Sequence, residues 1–412
     1  MKCRHCGEEL TLRFIDLGSA PPSNAYLTID QLNAPEKWYP LRVLVCTHCW
    51  LVQTEDYANR NELFDQNYAY FSSYSTSWLN HAEKYVSTIV TRFDLGKNSL
   101  VVEVAANDGY LLQYIKVRGI PCYGIEPTAS TAVVAKNKDI KIIEEFFGSQ
   151  LADRLASQGN QADLIIANNV LAHVPEINDF VRGFSLLLSP NGVASFEFPH
   201  LKQLVDNNQF DTIYHEHYSY LSLLAVEKIF LTNGIKIFDA EEIPTHGGSL
   251  RIYAQRLDTG MKKETSRLVS LRNKEHGAGI ATVDFYLGFQ SKANRVKNDL
   301  LSFLLDAQRK NHKVIAYGAA AKGNTLLNYA GVRSDLVTYV VDRNPAKQGK
   351  YLPGSRIPIV SEDRLCTDRP DIVLILPWNL KEEIVSQLAY IREWNGTFVT
   401  AVPKLSKMDP DI

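Results

Sequence analysis

The chain runs to 412 residues without about 18 consecutive apolar ones, so no membrane-spanning helix is expected. Its opening, MKCRHCGEEL, also lacks the apolar segment of a secretory signal. An excess of one charge is missing too: 44 basic residues against 46 acidic ones leave a net charge of −2. That balance offers no footprint for DNA, RNA or an anionic membrane, so neither nucleic acid nor membrane is an expected partner. These absences leave a cytoplasmic enzyme as the default. No short-period repeat is visible. Apolar content of 45% and charged content of 22% are those of an ordinary globular chain. The length exceeds what one core usually organises, so two or three domains are expected.

Cysteine is scarce but unevenly placed. Four of the six form two C-x-x-C pairs, Cys3 with Cys6 and Cys46 with Cys49; Cys122 and Cys366 stand alone as small core residues. In a reducing compartment, paired C-x-x-C motifs point to metal rather than disulfides. Thiolates are soft ligands, and each turn presents two sulfurs to one face of a tetrahedral ion. A set of four cysteines leaves no position for substrate, so the expected zinc is structural. Two redox pairs are the alternative, without a thioredoxin-like context to support them.

Beyond the knuckles, IDLGSAPPSNAYLT reads as loop and WLVQTEDY as a short strand. STSWLNHAEKYVSTIVTRF has apolar residues at helical spacing. From residue 99 the pattern alternates strand, loop and helix, the sign of a doubly wound parallel sheet. IKIFDAEEI and GSLRIYAQ complete that sheet. A charged, helix-prone stretch over 262–310 passes between lobes, and a second α/β unit begins at KVIAYGAAAKGNTLLNYAG. The expected units are 1–75, 76–256 and 257–412.

In the first sheet, VVEVAANDGYLLQYI places Glu103 at a strand end, before a turn with Asn107, Asp108 and Gly109. The helix that follows offers backbone N–H groups to a ligand. Glu126, in YGIEP, ends the next strand, where an acid commonly accepts from ribose hydroxyls. The turn is too poor in glycine for a pyrophosphate loop. A nucleoside without phosphates fits better, and S-adenosylmethionine is the obvious one. An ordinary βα turn with exposed acids is the plainer reading. Asn168 and Asn169 end the fourth strand, with His173 just beyond, where ligands bind in doubly wound sheets. In the last unit Lys322, Gly323 and Asn324 combine a glycine turn, a cation and a helix start, a cradle for diphosphate. Asp342, 19 residues after Gly323, also mimics the acid of a dinucleotide fingerprint. HGGSLR, from His246 to Arg251, is expected to line the cleft between lobes or to be a structural glycine turn.

The motifs VEVAANDGYLL, ANNVLAHVPEINDF, EFPH, YHEHYSYLS, HGGSLR and YGAAAKGNTLLNY occur in this order behind a four-cysteine unit. Together they resemble the C-3′-methyltransferases of deoxysugar biosynthesis over nearly the whole chain. The fold class so implied is α/β: a class I methyltransferase-type Rossmann domain, with a small N-terminal zinc-binding domain and a second, C-terminal Rossmann-like domain. The implied substrate is a nucleotide-linked 4-keto-6-deoxysugar, carried on dTDP or GDP and branched at C3. One departure is that Ala105 and Ala106 stand where class I methyltransferases usually have glycine.

Carbon is a poor nucleophile unless it becomes an enolate, and the 4-ketone acidifies C3–H. The enzyme then needs a base above C3, donors near O4 and a methyl-sulfonium in line. YHEH, at 214–217, can supply a base, an orienting acid and a donor from one loop. By the resemblance His217 is the base, Tyr214 and Glu216 place it or the substrate, and His173 holds the sugar near the ketone. His215 and His217 lie on one face of an extended segment, so H-x-H chelation is a further reading that lacks a third ligand. Two other functions stay open: a nicotinamide-dependent epimerase or dehydrogenase, and a zinc protein that binds nucleotide sugars without altering them. A monomer is expected, since three domains in one chain can enclose a complete site.

Overall fold

A computed structural model describes residues 1–57 and 71–408. The stretches 58–70 and 409–412, inside the expected first and third units, lie outside the described residues. The first sheet is antiparallel and joins strands Leu12–Ala20, Tyr39–Val45, Val52–Thr54 and Ser219–Tyr220 in that order. Its opening strand runs through IDLGSA, which the sequence reads as loop. Asp16 and Gly18 explain the difference. The register shifts between Asp16 and Ser19, Gly18 has φ +75°, and Asp16 Oδ1 accepts from Gly18 N at 2.9 Å. This irregularity breaks the alternation that marks a strand. Pro21 and Pro22 then end it.

Helix Thr76–Arg92 starts at Ser75, whose hydroxyl accepts from Trp78 N, and it buries Ala82, Tyr85, Val86 and Ile89 at helical spacing. Seven strands form the central sheet: Val101–Val104, Cys122–Ile125, Ile142–Ile143, Ala162–Asn168, Leu188–Pro199, Ile235–Ile243 and Ser249–Arg256. Counted in chain order they lie 3-2-1-4-5-7-6. The sheet is not wholly parallel as expected: Ser249–Arg256 runs antiparallel to both its neighbours. A short turn, Thr245–Gly247, makes this possible by joining the sixth and seventh strands without a crossover.

The C-terminal sheet repeats the doubly wound plan. Its strands Val314–Tyr317, Val340–Val341, Ile359–Val360, Ile372–Ile375, Thr397–Thr400 and Ser406–Met408 lie 3-2-1-4-5-6, with only the last antiparallel. Helices Ser266–Gly277 and Phe289–Arg309 connect the two sheets, as the charged stretch suggested. The hydrophobic cores cross the sequence segments. One joins Cys46 and Leu51 to Leu221 and Val226; another joins Phe14 and Val43 to Phe289 and Leu326. Phe14 stacks on Phe289 with ring centroids 4.4 Å apart.

Candidate active site

Each doubly wound sheet has a switch point where the chain leaves in opposite directions, and ligands bind outside the strand ends there. A cavity of about 360 Å³ is walled by both, with Asn107, Glu126 and Asn168 on one side and Ala320, Ala321 and Lys322 on the other. Asn24 of the first unit and Lys347 of the last also reach it.

On the central-sheet side, Glu126 receives Asn107 N at its Oε2 and Thr128 N at its Oε1, both at 2.9 Å. One carboxylate therefore fixes the turns after the first and second strands. Burial raises its pKa, and these N–H donors oppose the rise. Asn168 Oδ1 and both polar side-chain atoms of Asn169 are buried with no partner among the described residues. Such groups at a cavity wall suit a polar ligand. Ala105, the departure noted above, lines the cavity at φ +58°, a conformation glycine adopts without strain.

Three sequence candidates stand behind this wall. Glu103 is fully buried, and burial beside Asp108 and Glu126 pushes its carboxyl well above the usual range. Asp108 Oδ2 accepts from Ser73 N at 3.1 Å and braces the loop. Gly109 has φ +75°, and a Cβ there would sit 2.5 Å from Ile140 Cδ1. Glycine is required for the turn itself.

The YHEH loop follows a single turn, Phe210–Thr212. His217 Nδ1 lies 2.9 Å from Thr212 O, and His173 Nδ1 lies 2.7 Å from Glu216 O. A carbonyl only accepts, so each Nδ1 carries the hydrogen and each Nε2 the lone pair. Burial holds His217 well below the ordinary imidazole value, and the charge of His173 pushes the same way. Burial likewise lowers His173, to about 4. The Tyr214 ring lies over His217 at 4.0 Å between centroids.

Glu216 differs from the expected orienting acid. His217 is held by a main-chain carbonyl, while Glu216 Oε1 accepts from Asn24 N at 3.2 Å and Asn24 Nδ2 at 3.1 Å. It ties the loop to the first unit, and its side chain is not part of the cavity wall. His215 Nε2 donates to Pro40 O at 3.2 Å.

Of the residues expected to hold substrate, His246 and Lys322 line the cavity. Arg251 does not. Its guanidinium bonds Glu197 through Nε at 2.7 Å and through Nη2, reaches Glu241 at 3.3 Å and covers the Tyr85 ring. It is committed to neutralising the fully buried Glu197. Gly323 lets the helix Ala321–Ala330 pack against the sheet: a Cβ would lie 2.7 Å from Leu376 Cβ. Asn324 is buried behind it and receives Asn328 Nδ2 at 3.3 Å. Sequence reasoning missed Asn24, Trp78 and Lys347, which reach the cavity from distant segments.

Outside the lining of this cavity, Cys3, Cys6, Cys46 and Cys49 bring their sulfurs within 4.8 Å of one another, the single metal-ligand cluster among the described residues. Cys3 and Cys49 sulfurs are 3.6 Å apart, and those of Cys6 and Cys46 3.5 Å. A tetrahedron of Zn–S bonds spaces its sulfurs by about 3.8 Å, so the set fits zinc. Gln53 Nε2 donates to Cys3 Sγ at 3.2 Å, support of the kind thiolate ligands receive.

Comparison with known proteins adds three family matches along the chain: a zinc binding domain over 3–64, a methyltransferase domain over 78–239 and a C-methyltransferase C-terminal domain over 244–403. The C-methyltransferase NovU of Streptomyces niveus is 32% identical over 405 residues, covering 98% of this chain and 96% of its own. A ubiquinone biosynthesis O-methyltransferase of Azorhizobium caulinodans is 24% identical over 98 residues, 24% of this chain and 39% of that protein. Among solved structures, magnesium protoporphyrin IX methyltransferase of Synechocystis with bound SAH is 18% identical at a TM-score of 0.34, covering 43% of this chain and 82% of that one.

Proposed function

The chain belongs to the C-methyltransferases, and on that premise we propose that it methylates C3 of a nucleotide-linked 4-keto-6-deoxysugar through an enolate formed by His217. The observation that carries the reading is His217 itself. It lines the cavity between two switch points with Nδ1 committed to Thr212 and the lone pair on Nε2. Carbon methylation needs such a base, whereas transfer to an already nucleophilic oxygen has less use for one.

S-adenosylmethionine, the methyl donor, supplies an electrophilic methyl group on a positively charged sulfur. Glu126, Asn168 and Asn169 would hold its polar groups, with Asn107 at the turn. His217 Nε2 takes the C3 proton. His173, with Nδ1 given to Glu216 O, accepts from a sugar hydroxyl through Nε2. Tyr214 holds the His217 ring against the substrate. The nucleotide lies along Ala320 and Ala321, where a helix N-terminus meets the cavity. Zinc, held by Cys3, Cys6, Cys46 and Cys49, braces the first unit; four thiolates leave it no open position. The working division of the chain is 1–75 for zinc, 76–256 for the methyl donor and 257–412 for the sugar nucleotide.

The test is mass spectrometry of dTDP- and GDP-linked 4-keto-6-deoxysugars incubated with the enzyme in heavy water, with and without S-adenosylmethionine. A donor-dependent gain of one methylene supports the reading and names the nucleotide. Deuterium uptake without methylation moves the function to epimerisation, and unchanged mass in every sugar rejects the substrate class.

A further inference from the structure

The proposed reaction gathers negative charge on O4 as the C3 proton leaves, so a donor must face that oxygen. The two histidines nearest the chemistry do not provide it. His217 and His173 both commit their Nδ1–H groups to main-chain carbonyls, so neither neutral ring has a second N–H to give. A cation from another lobe lines the same cavity.

We propose that Lys322 is a catalytic residue, its ammonium donating to the substrate's C4 oxygen during enolisation. This rests on the functional reading above and replaces the sequence-level role of Lys322 as a diphosphate ligand.

Four observations support it. Lys322 lines the cavity together with His217, His246 and Tyr214. An ammonium has three N–H donors, and among the described residues Lys322 uses one, on Asn379 Oδ1 at 2.6 Å. The Trp378 ring lies 4.8 Å from Nζ, and Trp378 Nε1 donates to Asp211 Oδ2 at 2.7 Å. Asp211 is fully buried, and its Oδ1 has no hydrogen-bond partner among the described residues. It is therefore a counter-charge placed near Lys322 without occupying its donors. Its neighbour in sequence, Thr212, holds His217. A single turn, Phe210–Thr212, thus sets the base with one residue and supports the cation with the preceding one.

The electrostatics agree with that placement. Burial lowers Lys322 and the Asp211 charge opposes it. The Lys322 charge in turn lowers both His217 and His246. Lys347, the other lysine on the cavity wall, keeps different company: Nζ donates to Ala319 O at 2.8 Å and lies 3.7 Å from Asp342 Oδ2. Beside the turn that precedes the helix Ala321–Ala330, it is the cation better placed for the nucleotide.

In the enolisation step the C3 proton passes to His217 Nε2, the C–H pair becomes the C3–C4 double bond, and the carbonyl π pair moves onto O4. Lys322 donates to that oxygen without transferring its proton. The pair then returns to re-form the ketone as C3 takes the methyl group, the old sulfur–carbon pair leaves with sulfur, and His217 releases its proton to water.

The experiment uses whichever nucleotide sugar the wild type turns over, with Lys322→Met and Lys322→Arg compared against it. Three quantities are read: deuterium exchange at C3 without the methyl donor, kcat and KM for methylation, and affinity for the free nucleoside diphosphate. Loss of the donor should slow exchange and kcat by about 10²–10³-fold in Lys322→Met. Nucleoside diphosphate affinity should change little, and Lys322→Arg should recover part of the exchange. Unchanged exchange with KM and nucleotide affinity weakened together would overturn the proposal and make Lys322 a diphosphate ligand. If Lys322→Met does not fold, Lys322→Gln carries the same three readouts, and wild-type exchange in it overturns the proposal equally. A wild type that neither exchanges nor methylates overturns the functional reading along with it, whereas an active wild type matched by its variants rejects Lys322 alone.

Discussion

The rings of His173 and His217 stand 4.7 Å apart, centroid to centroid, each pinned by its Nδ1–H to a different main-chain carbonyl. With Nδ1–H so used, each neutral ring carries its lone pair on Nε2. Replacing either tests a different step.

His217→Asn removes the proposed base while keeping a polar side chain. Methylation and C3 deuterium exchange should both fall by about 10²–10⁴-fold, with affinity for S-adenosylmethionine unchanged by calorimetry. A variant that methylates normally would remove His217 from the mechanism. His173→Asn should weaken substrate binding more than it slows exchange.

The pH profile follows from opposite requirements on two groups. Burial keeps His217 neutral to well below pH 6.5, so the base form is complete at neutrality and the acid limb falls below that value. Lys322 must stay protonated, and burial brings its loss of charge below the ordinary lysine value of 10.5. The rate should be level near neutrality and decline on the alkaline side, and Lys322→Arg should displace that alkaline limb upward. An acid limb above pH 7 would contradict the state assigned to His217.

Glu126 holds two turns with one carboxylate, so Glu126→Gln introduces an N–H where two N–H groups already converge. Affinity for S-adenosylhomocysteine should fall by about 10–100-fold, the range of a charge-assisted hydrogen bond. Calorimetric titration reads it directly, and an unchanged constant would separate Glu126 from the methyl-donor site.

Arg251 should behave as a structural residue. Arg251→Met strips the buried Glu197 of its main partner, leaving His81 at 3.0 Å, and should cost about 3–5 kcal/mol in chemical denaturation. The folded fraction should keep its KM for the sugar nucleotide. A raised KM with unaltered stability would return Arg251 to the substrate.

Elemental analysis should find one zinc per chain. Cys46→Ser, or a strong chelator, should lower the melting temperature markedly and abolish methylation, because Val52 and Gln53 beside the knuckle pair with Tyr220 and Ser219 just beyond His217. Retained activity after complete zinc removal would contradict that link.

Much of this arrangement is legible before folding because it depends on local spacing. The C-x-x-C pairs announce four sulfurs, and the ends of the first, second and fourth strands place Asn107, Glu126 and Asn168 on the cavity wall. Partners carried by distant segments are less visible. Arg251 lies directly opposite Glu197 on an antiparallel strand, a register that depends on the unexpected direction of the last strand. Thr212 acts through its carbonyl, which every residue has and no motif records. Glu216 looks like a catalytic acid because its partner Asn24 comes from the other end of the sequence. The strand ending at Ala20 was hidden by its bulge, which interrupts the period of two without ending the pairing.

The two-residue strand Ser219–Tyr220 has a consequence for building hybrids of this enzyme with its relatives. It belongs by sequence to the methyl-transfer unit and by pairing to the zinc unit. A crossover near residue 75 would join a foreign scaffold to a native YHEH loop and leave the seam between them mismatched. Hybrids should tolerate exchange when Ser219–Tyr220 and the matching edge of Val52–Thr54 come from the same parent, which makes this pair of strands the inherited unit rather than either domain.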